Sequence, residues 1–428
     1  MKKITTLLTA IIGMAFMNQV SATHVTVEVP TAGQLSSLVQ NANCDSITIS
    51  GNLDGNDFWF IREQMPNLIY LNIGKVTVPD NKLPESGLYS KKALQKIILP
   101  DNLGTIGNHA FAYCSNLKDI TFPKSLVTIE YNAFYQSGLS EAILPENLKE
   151  IGDGVFYECY NLEKVTFPKT LVTIGNNAFR QCNLSEITLP DSLKTIGNNA
   201  FRYCQQLQKV TFPEKLETIG TYAFSDCFRL HTTTLKGKTA PAISDNTFNY
   251  TKVFYVPEGA AQTYKDASNW SNLIIIDGNT PKKITVTLTT AGTLGEEILK
   301  QVNYVKQVNE LVINGPLNND DFYQIQQQAT NLIAIDLTGA TIESLPENFF
   351  YERTALLDIK LPTTLKSIGR YAFYRCYGLT QITIPEGVTN IKDHSFYQCF
   401  SLKEIKLPSS LIEIQEYTFQ ECKSMESI

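Results

Sequence analysis

The sequence predicts an α/β solenoid, in which repeats of 22–23 residues form a parallel strand ladder with short helices. The repeats fall into two tandem arrays, each preceded by an α/β cap. Three observations predict this fold: a leucine recurs every 22–23 residues, a proline and a phenylalanine keep fixed places after it, and the two halves of the chain are duplicates. The fold also suits a chain of 428 residues, which is too long for a single hydrophobic core.

The repeat occurs nine times in register. Its copies begin at Leu94, Leu117, Leu139, Leu162, Leu184, Leu207, Leu356, Leu379 and Leu402. In every copy a proline lies six residues after the leucine, and a phenylalanine lies 17 residues after it. A single coil of this kind cannot bury its own apolar edge, so we expect the coils to stack with their strands about 4.8 Å apart.

Each position in the repeat predicts a local structure. Alternating apolar residues such as Ile97 and Leu99 predict a strand, which the following proline ends because proline cannot donate to a strand ladder. Six copies carry a glycine at the position of Gly107, which predicts a sharp turn with positive φ. Asn108 is a good N-cap, so we expect a short helix that carries Phe111 into the core.

A second kind of unit precedes each array. Residues 51–73 match residues 315–337 at an offset of 264, within segments that predict strand, helix, strand, helix, strand. We interpret these segments as caps, since open solenoid ends need covering. The predicted boundaries are 1–22 for a signal peptide, 23–93 for the N-terminal cap, 94–277 for the first array with its closing segment, 278–281 for a linker, 282–344 for the second cap and 345–428 for the second array. The second array stops at the opening of a tenth copy and is expected to be unclosed, which favours a truncated chain over a fraying last coil.

The first 22 residues predict export. Two lysines at positions 2 and 3 precede a largely apolar stretch over residues 4–17, and residues 20–22 offer the small side chains that a signal peptidase reads. We place the cleavage after Ala22. No later stretch is apolar and long enough to span a bilayer. The mature protein is therefore expected to be extracellular or at the outer cell surface.

The motif L-x-x-I-x-L-P-x-x-L-x-x-I-G-x-x-A-F-x-x-C resembles the BspA-like class of leucine-rich repeats, over roughly residues 94–230 and 345–428. The departures from the motif are local, since Glu130, Lys392 and Gln415 replace the glycine and Ser137 replaces one cysteine. The resemblance implies a leucine-rich repeat fold. It also implies a bacterial exported or surface protein that takes part in adhesion and in binding host proteins.

Composition and motifs exclude several classes of function. The formal net charge of −6 offers no electrostatic footprint for nucleic acid, which would need a clustered basic surface. The chain has no Gly-x-Ser-x-Gly, phosphate loop or His-Glu-x-x-His, and regular repeats do not bring unlike groups together in a cleft. We therefore expect no enzyme, no cofactor and no metal site. His109 and His394 share a position that asparagine and tyrosine also occupy, which predicts a surface side chain.

Eight cysteines share the position three residues after the phenylalanine, namely Cys114, Cys159, Cys182, Cys204, Cys227, Cys376, Cys399 and Cys422. Export permits disulfides, but equivalent positions should point the same way, and no Cys-x-x-Cys spacing indicates a metal. A ladder of small buried thiols is the favoured interpretation, with disulfides and a metal as alternatives. The pairs Asn56-Asp57 and Asp320-Asp321 are interpreted as helix caps in preference to a calcium site.

What remains for function is the surface, where equivalent positions form rows. Two outward strand positions of the first array give candidate binding residues, namely Lys96, Asp119, Glu141, Lys164, Glu186 and Lys209 in one row, and Thr121, Thr166, Thr188 and Thr211 with Ile98 and Ile143 in the other. Tyrosines near the cysteine are further candidates, namely Tyr113, Tyr135, Tyr157, Tyr160, Tyr374, Tyr377 and Tyr397. The alternatives are a solvated sheet face for the charged row and mutual packing of the rings for the tyrosines.

The sequence thus predicts an exported, non-enzymatic binding or adhesion protein that engages host or microbial macromolecules through its repeat surface. The expected partner is an extracellular protein or glycan, and neither nucleic acid nor a transmembrane segment is expected. The alternative is a structural spacer or envelope scaffold without a dedicated ligand. The fold alone does not decide between these two functions.

Overall fold

The structure, a computed structural model, describes residues 24–427, so the predicted signal peptide and its cleavage site lie outside the described part. The N-terminal part consists of β1 (His24–Val29), α1 (Leu35–Leu38), β2 (Ser46–Asn52), α2 (Gly55–Gln64) and β3 (Tyr70–Thr77). The three strands are parallel and lie side by side in chain order. This unit covers the N-terminal end of the first array by continuing its sheet, because β3 pairs with the first strand of the repeats.

A buried carboxylate holds the N-terminal unit together. Asp57, in the first turn of α2, accepts hydrogen bonds from the backbone N–H groups of Gly33 (2.7 Å), Leu35 (2.9 Å) and Asp54 (3.0 Å). Asp54 caps the helix in turn, so the two residues form a capping box. Asp321 makes the three equivalent bonds in the second half of the chain. Asp57 and Asp321 of the two predicted pairs therefore act at helix N-termini, although the N-cap residues themselves are Asp54 and Asn318.

Each coil contributes two short parallel strands, one more than the sequence predicts. In the first array these are β4 (Lys82–Leu83), β5 (Lys96–Ile98), β6 (Thr105–Ile106), β7 (Asp119–Thr121), β8 (Thr128–Ile129), β9 (Glu141–Ile143), β10 (Glu150–Ile151), β11 (Lys164–Thr166), β12 (Thr173–Ile174), β13 (Glu186–Thr188), β14 (Thr195–Ile196), β15 (Lys209–Phe212) and β16 (Thr218–Ile219). The odd-numbered strands are the predicted ones and form what we call the first ladder. The even-numbered strands follow the proline and form a second ladder, which runs unbroken through seven strands.

The first ladder, in contrast, is interrupted twice in the first array. β5 pairs with β7, β9 with β11, and β13 with β15, but the described structure has no pairing between β7 and β9 or between β11 and β13. Both interruptions follow coils of 22 residues, which begin at Leu117 and Leu162, whereas the 23-residue coils of this array are followed by a paired strand. A 22-residue coil lacks one residue at the corner before the next leucine. Coil length is not the only cause of an interruption, because the described strands Asp358–Lys360 and Gln381–Thr383 of the second array are also unpaired although a 23-residue coil separates them.

The segment that was expected to form a helix consists of tight turns instead. In the first coil the left-handed residues are His109 (φ 54°) and Tyr113 (φ 61°), and the same two positions are left-handed in all nine copies. Gly107 does not have positive φ, so that prediction was wrong. A Cβ atom on Gly107 would lie 2.5 Å from the carbonyl oxygen of Leu83. Glycine is therefore favoured there because the preceding coil approaches closely.

The phenylalanines of the repeat form a continuous stack in the core. From Phe111 to Phe224 neighbouring rings lie 5.0–5.4 Å apart at interplanar angles of 6–15°, and all of them are fully buried. Each ring thus fills the space inside its own coil and contacts the ring of the next. Such aromatic pairs contribute about 0.5–1.5 kcal/mol each beyond their buried area.

A closing segment covers the far end of the first array. It comprises β17 (Thr232–Leu235), β18 (Val253–Val256), α3 (Ala261–Asp266) and β19 (Ile274–Asp277), and its strands extend the sheet of β13 and β15. Phe248 continues the phenylalanine stack, 5.6 Å from Phe224. Trp270 is fully buried beside Phe248, and its indole N–H donates to the carbonyl of Pro241 (2.9 Å). The apolar end of this array is therefore covered.

The second half of the chain repeats this organisation. Its elements are β20 (Lys283–Thr287), α4 (Leu294–Leu299), β21 (Glu310–Pro316), α5 (Asn319–Tyr323), β22 (Ala334–Thr341), β23 (Ser344–Leu345), β24 (Asp358–Lys360), β25 (Ser367–Ile368), β26 (Gln381–Thr383), β27 (Asn390–Ile391), β28 (Glu404–Lys406) and β29 (Glu413–Ile414). Short 3₁₀ turns lie at Pro79–Asn81 and Val305–Gln307, and a π-helical turn lies at Gln324–Gln328. The second ladder is again unbroken, from β23 to β29.

The two arrays lie against each other. The ring of Phe228 in the first array is 4.9 Å from that of Phe400 in the second, and the ring of Tyr250 is 4.8 Å from that of Tyr377. A small apolar cluster joins the closing segment to the second half, and its buried members are Val253, Ile274, Ile276 and Ile333. The chain bends between β19 and β20, where Gly278 is left-handed (φ 61°). The arrays therefore do not form one continuous curve.

Candidate binding surface

The outward side of β5, β7, β9, β11, β13 and β15 carries both predicted rows, and we call it the strand face. In the three-residue strands the central residue is buried, as Val165 and Ile187 are, or partly buried, as Ile120 is, so the residues on either side point away from the core. The first residues form the charged row, and the third residues form the threonine row. Within the paired strands the rows are in register, for example Glu186 opposite Lys209 and Thr188 opposite Thr211.

The charged row is largely unpaired. Lys96 and Asp119 form an ion pair (2.6 Å), and this hydrogen bond raises the pKa of Lys96. Glu141 faces Lys164 across β9 and β11, but no ion pair joins them in the described structure. Likewise, Glu186 faces Lys209 across β13 and β15, and no ion pair joins these two side chains in the described structure. Four of the six charged side chains are therefore available to a partner.

The threonine row is exposed in its middle part. Thr121, Thr166 and Thr188 are exposed, and the side chain of Ile143 between them has 66% of its surface open to solvent. The hydroxyl groups and this apolar side chain all lie on the outward side of the first array, although the two interruptions separate β7 from β9 and β11 from β13.

The threonine row continues into the N-terminal unit, which the sequence analysis missed. Thr26, Thr48 and Asn72 are in register with one another, and Asn72 lies opposite Ile98. The alternation of polar and apolar residues in β1 and β2 was the available signal. The polar surface thus extends over the three cap strands as well as the repeats.

The tyrosines of the first array mainly contact one another. The ring of Tyr113 is 5.0 Å from that of Tyr135, which is 5.1 Å from that of Tyr157. The guanidinium of Arg180 lies 5.3 Å from the centre of the Tyr157 ring and continues the row. Burial of the Tyr135 hydroxyl and the nearby carboxylate of Glu158 raise the pKa of Tyr135. These rings are half-buried and stabilise neighbouring coils.

The remaining predicted tyrosines lie in different surroundings. Tyr374 stacks between Tyr351 (4.8 Å) and Tyr397 (5.2 Å) with nearly parallel rings. Tyr377 lies in the contact between the two arrays and not on a free surface. Tyr160 occupies the equivalent position in the first array and is 55% exposed. The structure therefore does not bring the predicted tyrosines together as one surface.

Seven of the eight repeat cysteines form a ladder of buried thiols, and Cys422 in the last copy is partly exposed. Each of the eight repeat thiols donates a hydrogen bond of 3.0–3.2 Å to a backbone carbonyl of the preceding turn of the solenoid. In six of the eight, that carbonyl belongs to the repeat phenylalanine, as for Cys204 and Phe179, and Cys376 uses Phe350 just before the first copy of the second array. Burial raises the pKa of Cys204 to about 12, so it is a poor nucleophile at neutral pH.

Among residues 24–427, no group of three histidine, cysteine, aspartate or glutamate side chains is placed to hold a metal ion. No helix in the same range is long and apolar enough to cross a membrane. His109 and His394 occupy the first left-handed turn position of their coils, where they lie beside neighbouring aromatic rings.

The sequence matches the family described as the BspA type leucine-rich repeat region, in six copies, over residues 81–204, 172–285 and 327–428. This family is defined by its repeat. No curated protein matches the sequence. Similar solved structures include a leucine-rich repeat protein from Bacteroides ovatus (24% identity, covering 83% of this chain and 85% of that one, TM-score 0.35). Another is a leucine-rich cell surface protein from Faecalibacterium prausnitzii (23% identity, 95% and 86% coverage, TM-score 0.36).

Proposed function

Because this chain belongs to the BspA-type leucine-rich repeat family, whose repeats indicate a role in protein interaction, we propose that it is an exported binding or adhesion protein. Its partners are host or microbial proteins or glycans, and its binding site is the strand face of the first array. Members of this family are bacterial cell-surface proteins, which supports a location outside the cell.

One observation carries this proposal: the strand face is exposed and unused by the fold. It presents threonine hydroxyls, unpaired charges and the exposed side chain of Ile143 on the outward side of the first array. The tyrosine rows, in contrast, are largely occupied by stacking within the chain. An apolar anchor surrounded by hydrogen-bonding groups is the usual composition of a protein-binding surface.

The proposal predicts that a charge at Ile143 abolishes binding. The mature chain from Thr23 onwards would be immobilised and tested by surface plasmon resonance against extracellular-matrix proteins and a glycan panel. For any partner found, we expect Ile143→Lys to weaken binding about tenfold or more, because a buried apolar contact is replaced by a desolvated charge.

Val127→Lys is the matched control. Val127 is also an exposed β-branched residue of the first array (49% exposed), but it lies beside β8 of the second ladder. This variant should bind like the unmodified chain. Equal loss in both variants, or loss in neither, would count against the strand face.

A structural spacer remains the second candidate function. The observation that favours it is the contact between the two arrays, which joins them without any ligand. If the protein is a spacer, neither the extracellular-matrix proteins nor the glycan panel should yield a partner. A spacer function also predicts that substitutions on the strand face leave the behaviour of the protein unchanged.

A further inference from the structure

A cleft of about 990 Å³ lies where the closing segment of the first array meets the second cap, and we call it the junction cleft. Residues from four parts of the chain line it: the closing segment, the segments 280–309 and 330–332, and the segment 352–355 just before the first copy of the second array. Its volume lies at the upper end of the range usual for ligand sites, about 300–1,000 Å³. It is separate from the strand face.

The lining of the junction cleft is rich in positive charge. Lys252, Lys265, Lys282 and Lys306 all contribute to it. Among residues 24–427, none of these four ammonium groups forms an ion pair, although the neighbouring Lys283 pairs with Glu310. Four unpaired lysines around one cleft are unusual in a chain of net charge −6.

The nearby acidic groups do not neutralise this charge. Two carboxylates, Asp277 and Glu352, line the cleft. Glu352 is already bound by the guanidinium of Arg375 (2.8 Å). Arg353 also lines the cleft, but its guanidinium donates to backbone carbonyls such as that of Ala329 (3.1 Å). The four lysines therefore face a single uncommitted carboxylate.

Lys252 gains most from an anionic ligand. Its side chain is half-buried, and the loss of water around its ammonium lowers its pKa. A carboxylate placed beside it would replace the missing solvation and add a charge-assisted hydrogen bond.

An aromatic ring stands at the rim of the cleft. Tyr304 is 63% exposed, although its backbone is held in place. The side-chain oxygen of Gln307 accepts hydrogen bonds from the backbone N–H groups of Asn303 (3.0 Å) and Tyr304 (3.2 Å). The exposed ring on this held backbone gives a flat apolar surface next to the charges, which matches the C–H face of a sugar ring.

We propose that the junction cleft binds a carboxylate-bearing oligosaccharide, with the lysines on its carboxylates and Tyr304 against one sugar ring. The ring favours a saccharide over an acidic peptide, because a peptide's carboxylates sit on flexible side chains and need no flat apolar partner. This inference does not depend on the strand face, so either site can fail without the other.

Calorimetric titration of the mature chain tests the proposal, with trigalacturonic acid as the probe. Maltotriose supplies the same size without charge, and hexaglutamate supplies charge without a sugar. We expect the acidic trisaccharide to bind, and to bind more weakly as sodium chloride rises from about 50 to about 300 mM. Maltotriose should not bind measurably, and hexaglutamate should bind at least about tenfold more weakly than the trisaccharide.

Variants locate the site. Lys252→Gln with Lys306→Gln should weaken trisaccharide binding about tenfold or more, whereas Lys164→Gln with Lys209→Gln on the strand face should not. Tyr304→Ala should weaken binding of the trisaccharide severalfold, whereas Tyr304→Phe, which keeps the ring, should not weaken it. Undetectable trisaccharide binding, equal binding of hexaglutamate, or equal losses in the two double variants would overturn the proposal. Unchanged far-ultraviolet circular dichroism would show that every variant is folded.

Discussion

At the scale of the residue, the cysteine of the repeat meets two demands of its position. It is small enough for a fully enclosed corner, and its S–H group donates to a carbonyl of the preceding coil. Ser137 takes the same position in one coil, and its hydroxyl contacts the sulfur of Cys159 (3.3 Å). The position therefore selects a small hydrogen-bond donor. The burial of these thiols was predictable from their register, whereas their carbonyl partners were not, because those depend on the geometry of the turns.

The buried thiols predict a loss of stability at alkaline pH. The pKa of Cys204 is raised from 9.0 to about 12 by burial, so the folded state keeps a proton that the unfolded state releases above pH 9. The stabilising contribution is present below pH 9 and is lost as the pH rises towards 12. Each such thiol should lower the free energy of unfolding by about 1.4 kcal/mol per pH unit in that window.

Urea denaturation between pH 8 and 10.5 measures this slope. Cys204→Ser keeps a hydrogen-bond donor of similar size but removes the ionisation. Above pH 9, the free energy of unfolding of this variant should therefore fall less steeply with pH than that of the unmodified chain. The two slopes should differ by about 1.4 kcal/mol per pH unit. Identical slopes for the two proteins would show that this thiol does not control the alkaline transition.

At the scale of the element, the sequence predicts the first ladder well and the rest of the coil poorly. The strand of Lys96–Ile98 follows from alternation and a terminating proline. A two-residue strand such as Thr105–Ile106 has no local signal, since only pairing with the coils on both sides defines it. The turn positions of His109 and Tyr113 hold side chains of many kinds, and only Gly154 marks one of them as left-handed. The stacking of the tyrosines was also not predictable from the sequence, because each ring packs against a ring of the neighbouring coil.

The interruptions of the first ladder predict a pattern of hydrogen exchange. The backbone N–H groups of Asp119 and Lys164, which follow 23-residue coils, donate to the preceding coil (3.0 and 3.4 Å). Glu141 and Glu186 follow 22-residue coils, and their strands are not paired with the preceding one. Their amides should exchange faster than those of Asp119 and Lys164, because local opening breaks no ladder bond.

Exchange measured by mass spectrometry on overlapping peptides resolves these strands. The second ladder supplies an internal control, since it is continuous from Leu83 to Ile219 and should be evenly protected. Equal protection of all first-ladder strands would contradict the assignment of the interruptions.

At the scale of the whole molecule, the position that follows the cysteine joins the two halves. Phe228 and Phe400 occupy it where the arrays meet, and Tyr160 occupies it on an open part of the first array. One position in the repeat thus serves both as surface and as interface. Its sequence register alone does not distinguish the two roles, because the bend at Gly278 decides which coils meet.

This contact predicts that Phe228→Asp separates the arrays. An aspartate there would place a charge against the ring of Phe400, so the second array should swing away while both arrays stay folded. Small-angle X-ray scattering should then show a larger radius of gyration and maximum dimension. Tyr160→Asp is the matched control, with the same new charge at the equivalent position, and should leave the scattering curve unchanged. If both variants scatter like the unmodified chain, the contact does not hold the arrays together.

The alternation of 22- and 23-residue coils has a consequence for the electrostatics of the strand face. It divides the face into three doublets of strands, and each doublet carries one lysine and one acidic residue: Lys96 with Asp119, Glu141 with Lys164, and Glu186 with Lys209. Every doublet is therefore electrically neutral, and the face has little long-range field with which to attract or repel a charged molecule. A partner should therefore recognise this face through short-range contacts, by its shape and its local dipoles. The association rate constant of such a partner should depend little on ionic strength.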